Sequence, residues 1–276
     1  MLATPTTPTT REQNPLVDAS PAQVPLPRAP LVRVIAQVKF AEVLGVENPD
    51  LVAGFQDAIS QTYGVLTREA GINISFGTPM IGLPQQHPMT HWRFSDHPTE
   101  WHWRVTLTSQ FITLESIRYT NRDDFFERLE MLLEAVEQRI RPTMMIRLGV
   151  RYINRITGHE LRDASLLVRP EISGVVGTVM ADAVNLSVSE TVFNIGSQKM
   201  TARWGMLPPN VTVDPTAILP INEACFLLDL DVFDETAVGF NSHEIARTAK
   251  QFAERSYAFF RWAVTDEFLI RFGAEQ

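Results

Sequence analysis

The chain of 276 residues is 45% hydrophobic, enough to bury a sizeable core as one large domain or two small ones. Its net charge of -8 and pI near 5.3 argue against broad binding to a phosphate backbone, so nucleic acid is not an expected partner. One cysteine, Cys225, excludes an internal disulfide, and no apolar run reaches the ~20 residues of a membrane span, so a cytoplasmic protein without membrane attachment is expected.

Residues 1–30 hold seven of the 18 prolines and almost no apolar periodicity. Burial cannot offset their ordering entropy, and a disordered tail ending near Pro30 is expected. Val32, Val34, Ala36, Val38 and Phe40 then alternate with Arg33, Gln37 and Lys39, the period of a half-buried strand. Pro49 and Asp50 open a helix whose stripe is Leu51, Phe55, Ala58, Ile59 and Tyr63, with Gly64 placed to end it. A short strand is expected over Ile72 to Phe76 and a loop over Thr78 to Pro88. Three strands follow: one through Trp92 and Phe94, one with Trp101, Trp103, Val105 and Leu107 on a shared face, and one from Phe111 to Tyr119. Asn121 caps a helix with the stripe Phe125, Leu129, Leu132, Leu133, Val136 and Ile140, stopped by Pro142.

The next strand carries Arg147, Arg151 and Arg155 on one face and Ile146, Leu148, Val150, Tyr152, Asn154 and Ile156 on the other, because strand side chains alternate. Gly158 to Thr178 has a weak pattern and reads as a connection between halves. A second series of strands is then marked by Val184 to Val188, by Met200 to Met206 and by Phe226 to Val232. Asn241, with Glu244 three positions on, caps a long closing helix, and Thr265-Asp266 interrupts it. Both halves, 31–157 and 158–276, thus run from strands to a helix that begins at an asparagine, the pattern of a diverged duplication or of convergence on one architecture. The fold class is α+β, with a largely antiparallel sheet and two long helices packed on one face.

Three arginines in line in an acidic chain need acidic partners, from the protein or from a ligand. Read as a site, Arg147, Arg151 and Arg155 are anion contacts and Trp101 or Trp103 a stacking surface. Read as structure, they pair with Asp229 and Asp231, which share one face of a strand, while the tryptophans fill the core. Two carboxylates at that spacing also suit Mg²⁺ or acid/base work, the signature of a metal-dependent hydrolase. His87, His91, His97 and His102 are dense but lack ligand spacing, so no metal is expected there. No phosphate loop or nucleophile elbow is present, Gly174 to Gly177 being too short to cradle a phosphate, so neither a cofactor nor catalysis is expected.

Ala29-Pro30-Leu31-Val32, the strands around Trp92 and Trp101, Tyr119 to Phe125, Arg147 to Ile156 and the Asp229-Leu230-Asp231 strand together resemble a sporadically distributed family of uncharacterised bacterial proteins, over roughly residues 29 to 273. The resemblance implies a bacterial, accessory gene context and carries over no catalytic residue. The leading expectation is therefore a non-enzymatic binding protein, the antitoxin- or chaperone-like partner in a toxin or defence module, with a protein partner encoded nearby. The alternative is a domain that binds an anionic small molecule or nucleotide on the arginine-lined sheet face.

Overall fold

The computed structural model describes residues 13–71 and 89–273, and its framework is one antiparallel sheet to which both halves contribute. The first half runs β1 (Leu31–Phe40), α1 (Pro49–Ile59), β2 (Val65–Gly71), β3 (Met89–Ser95), β4 (Trp103–Leu107), β5 (Phe111–Ser116) and α2 (Arg122–Ala135). The second runs β6 (Met144–Ile156), the short helices α3 (Gly158–Leu161), α4 (Ala164–Leu167) and α5 (Pro170–Ser173), β7 (Ser187–Ile195), β8 (Gln198–Leu207), β9 (Cys225–Asp234), β10 (Val238–Gly239), α6 (Ser242–Ala263) and α7 (Asp266–Arg271).

The strand order β2-β3-β4-β5-β1-β6-β9-β8-β7 reads alike outward from the β1/β6 seam. Each half offers a central strand, a helical connection, a meander whose last strand returns beside the central one, and a long helix. The two halves thus share a topology. Asn121 and Asn241 do the same work, each side chain accepting from the N–H three residues on, at Asp124 and Glu244.

Registry fixes which face each residue takes. One face carries Val34, Ala36, Val38 and Phe40 of β1, Leu148 and Val150 of β6, and Phe226, Leu228, Leu230 and Val232 of β9. These residues form the main core with Phe55 of α1, Leu129 and Leu133 of α2, and Phe252 and Phe259 of α6. The opposite face is polar in its centre, where Gln37, Arg147, Arg151, Thr201, Asp229 and Asp231 are all buried. Part of its cover is the β8–β9 connection, whose Ala217 and Ile218 pack on Ile35, Ile153 and Leu227.

Several expectations are corrected. Of the expected tail, residues 1–12 lie outside the described residues, but residues 13–30 are laid along α6 and α7. Arg255 donates to the carbonyls of Pro15 and Asp18, Val24 N–H donates to the Tyr257 hydroxyl, and Arg28 bonds the carbonyls of Arg271 and Phe272. The order comes from partners more than two hundred residues away, which local composition does not register. The strand expected at Val184 to Val188 begins at Ser187 and extends to Ile195, because β7 closes a hairpin with β8 around Gly196, whose φ is +65°. The weak region Gly158 to Thr178 folds into short helical turns, and Val65 to Gly71, where no strand was expected, pairs with β3. The expected strand Ile72 to Phe76 and loop Thr78 to Pro88 lie outside the described residues. Among the described residues no helix is long and apolar enough to cross a membrane.

Candidate functional site

The arginine face of β6 meets the acidic face of β9 directly, since the two strands are antiparallel neighbours with Arg151 opposite Asp231 and Ile153 opposite Asp229. Arg151 reaches diagonally to Asp229 and grips it with both edges of its fork, Nε to Oδ1 and Nη2 to Oδ2, each at 2.7 Å. Its Nη1 donates to Asp214 Oδ2 at 2.7 Å, a residue brought in by the β8–β9 connection. Arg147 donates to Asp231 Oδ2 and to Gln37 Oε1, both at 3.2 Å, and its guanidinium lies 4.8 Å from the centre of the Phe233 ring. That pose needs Gly149, because a Cβ there would stand 2.6 Å from Arg147 Nη1.

The network spreads along the sheet. Arg203 Nη1 is 3.6 Å from Asp229 and its Nε is paired with Glu190 of β7. Arg33 and Arg104 share Glu115, and Arg33 also donates to the Ala217 carbonyl. Arg155 instead donates to the Leu219 carbonyl at 2.8 Å.

Burial sets the electrostatics. It works against a charged Arg151, yet the neighbouring charge and hydrogen bonds of Asp229, with Asp231 and Asp214, push its pKa above the ordinary arginine value. Burial also tends to raise Asp214, but Arg151 and Thr216 outweigh it and hold that carboxyl below its usual range. Asp231, wholly enclosed, is raised by burial in spite of Arg147 and Arg151. Lys39, across β1 from Arg147, is lowered to about 8 by burial first and then by that like charge. An external anion at Arg151 would have to displace carboxylates already held in charge-assisted bonds, and a cation at Asp229 and Asp231 would have to displace guanidiniums.

The tryptophans part company. Trp103 starts β4, packs against Phe125 in the core and carries Arg128 over its ring at 4.4 Å. Trp101 precedes the strand, so the expected shared face does not form; its ring lies on the polar side, 4.2 Å from the Arg104 guanidinium and 5.7 Å from that of Arg33. The histidines also separate. His91 is buried beside Phe111, the Nδ1 of His97 accepts from the turn amides of Thr99 and Glu100, and His102 faces Asp96; His87 lies outside the described residues. Among the described residues no cluster of His, Cys, Asp or Glu could hold a metal ion. Cys225 is buried on β9, with its thiol pushed up by burial.

Sequence patterning missed Asp214, Glu115 and Gln37, which become partners only through the loop and strand neighbours that tertiary structure supplies. It also missed the edge of the sheet. Among the described residues β7 pairs with β8 alone, leaving one side of a nine-residue strand open. Its outer surface shows Val188 and Val192 at 42% and 48% exposure, and Leu186 leads into it exposed. Glu190, the strand's one charged side chain, lies between these valines on the same face, exposed and paired with Arg203 of β8. The opposite edge, β2, carries Arg68 and Glu69.

No family model matches the chain, and no curated protein matches it at a significant level.

Proposed function

We propose that this protein is a non-enzymatic binding protein that takes up an extended segment of a partner protein by strand addition at β7. The supporting observation is the edge itself: nine residues long, free of lysine and proline, with a single charge, Glu190, that is paired within the sheet, and with exposed valines on either side of it. Sheet edges of that kind are usually blunted by lysine, proline, a bulge or a covering element, because unpaired N–H and C=O groups recruit another strand. Strand addition draws its affinity from those main-chain bonds and its specificity from side chains at alternate positions, here Val188 and Val192. An antitoxin- or chaperone-like protein that shields a partner's strand, encoded beside that partner, would use such an edge. The arginine face supports an anion site less well, since its fork contacts are occupied by the protein's own carboxylates.

The test is hydrogen exchange on the protein alone and on the complex recovered with it from its native host. Amides of residues 187–195 should gain protection in the complex. The double variant Val188→Lys with Val192→Lys should lower recovery about tenfold or more, the equivalent of ~1.4 kcal/mol, while its thermal midpoint stays within about 2 °C, as expected for exposed positions. A complex that leaves β7 exchange unchanged, a variant that binds as well as the parent, or recovery of no partner would overturn the proposal.

A further inference from the structure

On the helical side of the sheet, away from β7, lies a cavity of about 350 Å³, within the ~300–1,000 Å³ of small-molecule sites. Its floor is Tyr152 and Asn154 of β6 and Leu230 of β9; one wall is α6 at Ala253, Ser256 and Phe260, another the start of α2, and the roof is the proline-bearing segment 23–29. The space exists because Ala253 and Ser256 are too short to reach the sheet, whereas Phe252 and Phe259 on the same helix fill the core beside it.

The polar groups of this cavity are not satisfied by one another. Ser256 is 2% exposed, and among the described residues its hydroxyl has no hydrogen-bond partner, not even the backbone acceptor a helical serine commonly finds. Asn154 is buried and uses one amide hydrogen on the Leu228 carbonyl, leaving its oxygen and second N–H without a partner among the described residues. Tyr119 and Tyr152 meet edge to face, with ring centres 5.9 Å apart, and both line this space. Burial raises both phenols, so they stay neutral.

Charge is confined to one place. Of the lining residues only Arg122 is ionised at neutral pH. It lies on the roof side, 5.5 Å from the Tyr257 ring, where the Gln23 amide oxygen, turned toward it, accepts from its Nη1 and Nε. Its acidic neighbours are weakly placed or engaged: Glu254 stands 3.8 Å away and about half exposed, Asp123 is held by Lys250, and Asp124 by Arg128.

We propose that this cavity binds a small monoanionic amphiphile: a carboxylate that meets Arg122, an apolar body against Leu230, Phe260 and the roof prolines, and a hydroxyl or carbonyl that meets Ser256, Asn154 and the tyrosine pair. The roof is suited to admit it, since proline has no N–H to satisfy and the span is fastened to α6 chiefly by Val24 N–H on the Tyr257 hydroxyl at 2.8 Å.

The proposal is tested by calorimetry with three probes of one size: 4-hydroxybenzoate, 4-hydroxybenzyl alcohol and tyramine. The carboxylate should bind about tenfold or more tightly than the alcohol, the equivalent of ~1.4 kcal/mol, and tyramine least. Arg122→Gln should remove the carboxylate's advantage and leave the alcohol's affinity unchanged. Ser256→Leu should fill the cavity from its α6 wall and abolish binding of all three without lowering the thermal midpoint; Ala253→Val serves the same purpose if the leucine does not fold. Absence of heat with every probe at millimolar concentration, equal or tighter binding of tyramine, or retained binding in the filled variant would overturn it.

Discussion

Removing Asp229 isolates the contribution of the arginine network. Asp229 is 1% exposed and takes two of the three 2.7 Å bonds that Arg151, 2% exposed, makes to carboxylates. At roughly 4 Å between charge centres and an effective dielectric near 20, their attraction is about 4 kcal/mol. Breaking a buried pair by deleting one partner typically costs ~3–5 kcal/mol, because the survivor stays buried without compensation. Here Asp214 remains on Arg151, so Asp229→Ala should fall at the lower end, about 3 kcal/mol, or ~6–12 °C in thermal midpoint for a chain of this size. Urea denaturation followed by circular dichroism reads the loss directly. The double variant Arg151→Met with Asp229→Leu replaces the pair by apolar volume and should lie within about 1–2 kcal/mol of the parent. A cost for Asp229→Ala below about 1 kcal/mol, as at a solvated surface pair, or a double variant as unstable as the sum of the singles, would refute the account.

The same sheet yields three further expectations. Gly149→Ala places a methyl 2.6 Å from a guanidinium pinned by Asp231 and Gln37; it should cost ~1–3 kcal/mol as that bond is lost, and much less in an Arg147→Met background. Gly205→Ala cannot be relieved by a rotamer, since φ is +138° and its Cβ would stand 1.8 Å from the Ser187 carbonyl oxygen. It should cost about 3 kcal/mol or more and speed hydrogen exchange specifically across β7. Lys39 has a folded pKa near 8 against 10.5 for the free group, so between those values the unfolded chain binds more protons and the lysine's contribution to stability rises with pH. The stability of the parent minus that of Lys39→Met should therefore increase from pH 8 to 10.5; a flat difference in urea titrations would remove the assigned shift.

Much of the local structure was legible because it is set by neighbours in the chain. The capping asparagines, the apolar stripes of α2 and α6, the stop after Ile140, where a π-helical turn over Val136–Ile140 continues α2, and the alternation of β1, β6 and β9 all depend on side chains one to four residues apart. Strand boundaries that depend on a partner were not legible: β2 carries a charged pair on an edge, and β7 owes its length to the hairpin with β8. Trp101 and Trp103 differ for a related reason. Alternation holds only inside a strand, and β4 starts between them.

The sequence by itself determined that Arg147, Arg151 and Arg155 share a face opposite an apolar one, and that Asp229 and Asp231 do likewise, since backbone pleating enforces both. Whether those faces meet depends on strand order, which no local pattern encodes. The fold sets β6 against β9, where Arg151 closes on Asp229 and Arg147 on Asp231, while Arg155, one step beyond, reaches a loop carbonyl instead. Tertiary structure alone also made the cavity behind residues 23–29, because it takes a helix, a sheet and a distant chain segment together to wall it.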